Sequence, residues 1–157
     1  MPASDTRLYP SGSGAPKSRP IQGTFVEFGV AKMQRTRVTT AQVNAGFTLL
    51  PALPGVKWRL LDMVLIAIGG NAATATSVNV IGTRSGSAVQ LLAAAVAALT
   101  RSTVCRAGDA NVAVLADGAS FEALDANTAI TIDNVGSSLA TATHIDAILT
   151  FVADPQT

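Results

Sequence analysis

The sequence predicts an all-β protein: an antiparallel β-sandwich or jelly roll with one short helical turn and an extended N-terminal arm. Three observations carry this expectation. From Gly23 onward the apolar residues recur with period two, the spacing of strands that bury one face. The composition is weighted to small and β-branched side chains, with 28 alanines, 17 threonines and 15 valines in 157 residues. The apolar runs also follow one another closely between Gly, Asp and Asn punctuation, which leaves almost no room for the crossover helices of an α/β domain.

Residues 1–22 read as the arm and residues 23–157 as the β domain. Pro2, Pro10, Pro16 and Pro20, with Gly12 and Gly14, forbid a helix in the arm and leave it too little apolar surface to fold alone. In Thr24 to Val30, Val26, Phe28 and Val30 share one strand face. An extended Met33 to Thr40 places Arg35 and Arg37 on the same side as a small basic ribbon. Val43, Ala45, Phe47 and Leu49 alternate with polar or small residues and predict a further strand. Pro51 to Gly55 is a turn, because each proline biases its predecessor away from helix.

Val56 to Ile68 predicts a long central strand. Its even positions are apolar apart from Asp62, and its odd positions run from Lys57 and Arg59 to Leu61, Met63 and Leu65. Trp58 falls among the core positions. Gly69-Gly70-Asn71 supplies a reversal into Thr74 to Thr83. Ala88 to Thr100 mixes signals: a strand start at Ser87 to Leu91, then a helical turn favoured by the alanines. Short strands follow at 103–107, 111–116, 129–135 and 143–152, with a turn at Gly136-Ser137-Ser138.

Composition excludes several classes of function. Charged residues make up 13% against 48% hydrophobic, unlike a disordered chain. A net charge of +1 with one Trp and one Tyr offers neither the basic field nor the stacking platforms of a nucleic-acid binder. No apolar stretch approaches the roughly 20 residues of a membrane-spanning helix, and residues 1–20 have no secretory apolar region. Charge is nonetheless lopsided. Residues 1–59 hold eight basic residues and two acids, whereas residues 60–157 hold three basic residues and eight acids. Such an arrangement suits either an exposed solvated arm or a basic end laid on an acidic partner.

Residues able to do chemistry are few. His144 is the only histidine, and on a strand it shares a face with Asp146, a base and its orienter in principle. No nucleophile motif accompanies the pair. Cys105 is the only cysteine; it reads as packing, forms no internal disulfide and cannot complete a zinc set with one histidine. Asp109, Asp117, Glu122, Asp125 and Asp133 sit at turns without a calcium-loop spacing. Gly82-Thr-Arg-Ser-Gly86 matches no phosphate-binding loop. No metal, cofactor or catalytic residue is expected, and the chain reads as a non-enzyme.

The stretch from Trp58 to Gly70, Ala73 to Val78, Ala98 to Thr100, Leu115 to Phe121 and Ser138 to Phe151 together resemble the capsid cement or decoration proteins of tailed bacteriophages. The resemblance covers roughly residues 56–152. It implies a jelly-roll-like virion protein made in a bacterial cytoplasm that binds the outside of the shell as a dimer or trimer and bridges subunits of the major capsid protein. That family has no catalytic residues to carry over. Attachment is expected through Leu8, Tyr9, Arg19, Arg35 and Arg37. The alternatives are a receptor- or glycan-binding tip of a head fibre or tail spike, and a small hydrolase dependent on His144.

Overall fold

The computed structural model describes residues 18–21 and 24–157, and these form a two-sheet antiparallel sandwich with a small separate hairpin. The hairpin pairs β1 (Ser18–Ile21) with β2 (Thr24–Glu27), so its ladder crosses the boundary expected at residue 22. One sheet has four strands in the order β3 (Ala31–Thr39), β11 (His144–Pro155), β5 (Val56–Ile68) and β8 (Val104–Arg106). The other has five, in the order β4 (Phe47–Leu50), β10 (Ile130–Ala140), β6 (Ala73–Arg84), β7 (Ser87–Ala95) and β9 (Val112–Val114). Pairing is nested: β3 meets β11, β4 meets β10, and the β6–β7 hairpin lies innermost.

The inward residues of both sheets form one core. Leu60, Met63, Leu65, Leu91, Leu92, Ile130, Ile132 and Ile145 are fully buried there. Each aliphatic side chain removed from water contributes about 1.5–3 kcal/mol, which is what holds the layers together. Trp58 lies in this core as expected. Its ring meets Phe151 edge-on at 5.4 Å between centroids, and its Nε1–H donates to the Pro51 carbonyl at 2.9 Å. At the centre of the core Gly82 is buried, and a Cβ there would come within 2.7 Å of Leu124 Cδ1 and 2.9 Å of Leu91 Cδ1. Glycine is what lets β6 approach these two leucines.

Four local expectations are corrected. The one α-helix among the described residues is α1 (Thr40–Ala45), and it replaces the first part of the strand expected over Val43 to Leu49, whose Phe47 to Leu49 portion is strand β4. Its start is fixed by a capping box: Gln42 N–H donates to Thr39 Oγ1 at 3.2 Å, and Thr39 N–H to Gln42 Oε1 at 2.9 Å. Thr39→Ala is therefore expected to cost about 1 kcal/mol in urea unfolding. Conversely, the alanine-rich segment expected to turn helical continues as β7 to Ala95. Lying between β6 and β9, it gains two ladders of hydrogen bonds, which override the helix preference of alanine.

Third, the even positions of β5, which read as its apolar set, do not stay inward along the whole strand. A bulge opposite Thr150/Phe151 of β11 inserts Leu61, so the inward set changes from Val56, Trp58 and Leu60 to Met63, Leu65 and Ala67. Fourth, the turn expected at Gly136 to Ser138 lies inside β10 as a ladder irregularity, with Gly136 at φ +89°. The remaining strands fall within a few residues of their expected places.

Candidate functional site

The outer face of the four-stranded sheet gathers the charged and apolar residues that could meet a partner. Directly paired residues project to the same side of a sheet, so register assigns the face. One row reads Arg37, Asp146, Ile66 and Val104; the next reads Arg35, Ile148, Val64 and Arg106. An apolar strip of Ile148, Val64, Ile66 and Val104 thus runs between two charged groups. Val104 is exposed, Ile148 and Ile66 are half-buried, and Val64 is nearly covered.

Asp146 organises the first charged group. Its carboxylate is fully buried, although it lies on the solvent side of the sheet, because Arg35 and Arg37 fold over it. Arg37 Nε donates to Oδ1 at 2.8 Å and Nη2 to Oδ2 at 3.2 Å, while Arg35 Nε donates to Oδ2 at 2.9 Å and its Nη2 also reaches that oxygen. Hydrogen bonds from Arg37 hold the Asp146 carboxyl below the usual carboxylate range; burial opposes this and Arg35 reinforces it. The same bonds raise the Arg37 guanidinium above its ordinary value. The guanidinium-bearing side chains remain 57% and 54% exposed, so two immobilised arginines with one excess positive charge face solvent. The second group is the Arg106 to Asp62 pair, at 3.2 Å.

Of the five residues expected to meet a partner, the structure brings together Arg35 and Arg37. Leu8 and Tyr9 lie outside the described residues. Arg19 lies in β1, opposite Val26 of β2. The pairing of His144 with Asp146 that a shared strand face permits in principle does not form: His144 Nδ1 is 3.0 Å from Thr143 Oγ1, and the Asp146 oxygens are taken by the arginines. A base with no oriented carboxylate lacks the arrangement a hydrolytic triad needs.

The other candidates hold turns and packing. Asp125 accepts from the Ser85 and Gly86 amides at 3.0 and 2.8 Å, closing the β6–β7 hairpin, and the Gly86 amide is the main reason its carboxyl is held low. Both turn residues have positive φ, the geometry of a tight two-residue hairpin loop. Asp109 accepts from Arg106 N–H at 2.8 Å. Cys105 is buried, with its thiol donating to the Ala98 carbonyl at 3.1 Å, and burial pushes it up, away from a reactive thiolate. A shallow groove of about 410 Å³ passes beside it between Ala98 and Val112, and a smaller cavity of about 170 Å³ lies against Trp58 and Phe151 under β2. Among the described residues no three His, Cys, Asp or Glu side chains cluster as a metal site, and no helix is long and apolar enough to cross a membrane.

No protein family, curated protein or solved structure matches the chain. The site is therefore read from its own geometry. Sequence reasoning found the arginine ribbon but missed its anchor. A signal was present: Asp146 stands between Ile145 and Ala147 in an apolar strand, and a carboxylate held there calls for a cationic partner.

Proposed function

We propose that this chain is a structural virion protein of a tailed bacteriophage that binds the outside of the capsid, as a dimer or trimer, and stabilises it by bridging subunits of the major capsid protein. The observation that carries the reading furthest is the Arg35–Asp146–Arg37 group, a preformed cationic contact beside an apolar strip on a stiff sheet. An apolar centre flanked by fixed charges is how protein interfaces are commonly built. Two further points support it. The nested order of the two larger sheets, β3 with β11 and β4 with β10, is the order a jelly roll has. The segments that resemble cement proteins include β5 and β11, the two central strands beneath this face.

In this reading the protein performs no reaction and acts by mass action. A clamp that binds only the intact lattice stabilises each site by about 3–4 kcal/mol when its free concentration is 100 to 1,000 times Kd, and repetition over the shell with oligomer avidity multiplies the effect. The test is to add the purified full chain to expanded capsids of its phage that lack it. The expected result is binding on the outer surface at hundreds of copies per particle and a higher temperature of shell rupture. A few to tens of copies at one vertex would assign the fibre or spike role instead, and absence from the capsid surface would overturn the proposal.

A further inference from the structure

We propose that the free edge of β3 is a strand-addition site for an extended acidic segment of a partner protein. β3 is nine residues long, stands at the end of its sheet and pairs only with β11; among the described residues its other edge makes no backbone hydrogen bond. The other edge strands are short by comparison: β4 has four residues, and β8 and β9 have three each. A long edge with a regular row of N–H and C=O groups and no proline is a template for another strand.

The side chains of β3 state the chemistry of the occupant. Ala31–Thr39 contains Lys32, Arg35 and Arg37 and no acid. A second copy of β3 laid on this edge would bring like charges together, which disfavours self-pairing. An acidic strand would instead place carboxylates opposite Arg35 and Arg37. These are two residues apart and share a face, so the matching residues of the added strand are also two apart. Each arginine uses Nε and one Nη on Asp146 and keeps further N–H donors, and Asp146 holds both in position before the partner arrives. Two residues beyond Arg35 on the same face, Met33 is 74% exposed and offers an apolar contact to the next side chain along. The occupant is thus an extended segment reading acidic-x-acidic-x-apolar, in one chain direction or the other.

The inference deepens the capsid reading and rests on it only for the owner of the segment; the recognition chemistry is tested without any capsid. Synthetic peptides of about seven residues with alternating glutamates and one terminal leucine, in both orders, would be titrated into the full-length protein by calorimetry, with lysine-for-glutamate versions as controls. Amide hydrogen exchange would be followed along the chain. One acidic order is expected to bind at least tenfold more tightly than its lysine version, to weaken severalfold in high salt, and to slow exchange within 31–39. Arg35→Gln leaves Arg37 on Asp146 and is expected to reduce binding about tenfold with only a small loss of thermal stability. Equal binding of acidic and basic peptides, protection at β8 or β9 instead, or amides of 31–39 that point away from β11 already protected in the free protein by its own chain or a second copy would each overturn the proposal. Peptide binding without capsid binding would leave β3 recognition standing and remove the capsid as its owner.

Discussion

Replacing Arg35 and Arg37 together by alanine is expected to lower the unfolding free energy by about 1–3 kcal/mol at neutral pH, because it removes the charge-assisted arginine bonds to the Asp146 carboxylate and opens that group to water. Either single replacement is expected to cost less, since the remaining arginine still reaches Asp146 through two bonds. The pH dependence has a definite sign. The Asp146 carboxyl is lowered in the folded state, so its stabilisation is complete above the unfolded carboxylate value, near ~4, and disappears as pH falls through the lowered folded value. The double variant lacks the donors that lower this carboxyl, so it has no such stabilisation to lose in acid. Urea unfolding from pH 7 to pH 3 should therefore show the gap between wild type and double variant closing in acid. A gap that stays constant would mean that Asp146 is not the charged anchor of the group.

Trp58→Ala is expected to cost about 3–5 kcal/mol, the upper range for loss of a large aromatic from a core. The ring is 5% exposed, stacks edge-on with Phe151, and fills the space between the start of β5 and the Pro51 to Gly55 turn. Trp58→Phe separates the two contributions. It keeps an aromatic against Phe151 but leaves the Pro51 carbonyl without its 2.9 Å donor, a loss of about 1–3 kcal/mol. As this is the only tryptophan, far-ultraviolet circular dichroism rather than fluorescence should follow the transition. Equal stability of Trp58→Ala and wild type would remove Trp58 from the core.

Strand content was legible because period two survives in β6, β10 and β11, where one face is apolar and the other is not. Which face points inward was not legible where both faces carry apolar residues. In β5, Leu61, Met63, Val64 and Leu65 leave no contrast, so the inserted Leu61 and the exchange of faces could not be seen. The α1 helix was missed for a different reason. Val43, Ala45, Phe47 and Leu49 alternate well, and the alternation masked the Thr39-x-x-Gln42 capping signal that stood just before it. At the candidate site, Arg35 and Arg37 could be placed on one face from local spacing. Their partner lies 109 to 111 positions away along the chain. Only the pairing of β3 with β11 brings them together, and local pattern contains no information about which distant strand closes a sheet.

That pairing also constrains when the molecule can become itself. β11 is synthesised long after β3 and β5, yet it sits between them, and each borders it along most of its length. A nascent chain emerging from the ribosome therefore carries β3 and β5 with no strand to separate and join them, and the cationic side chains of β3 have no carboxylate to fold upon. Folding of the four-stranded layer waits until residues 144–155 have been made, and is slow by the standard of proteins dominated by local contacts. Until these residues clear the exit tunnel, apolar surface on β5 stays open to chaperones and to its neighbours.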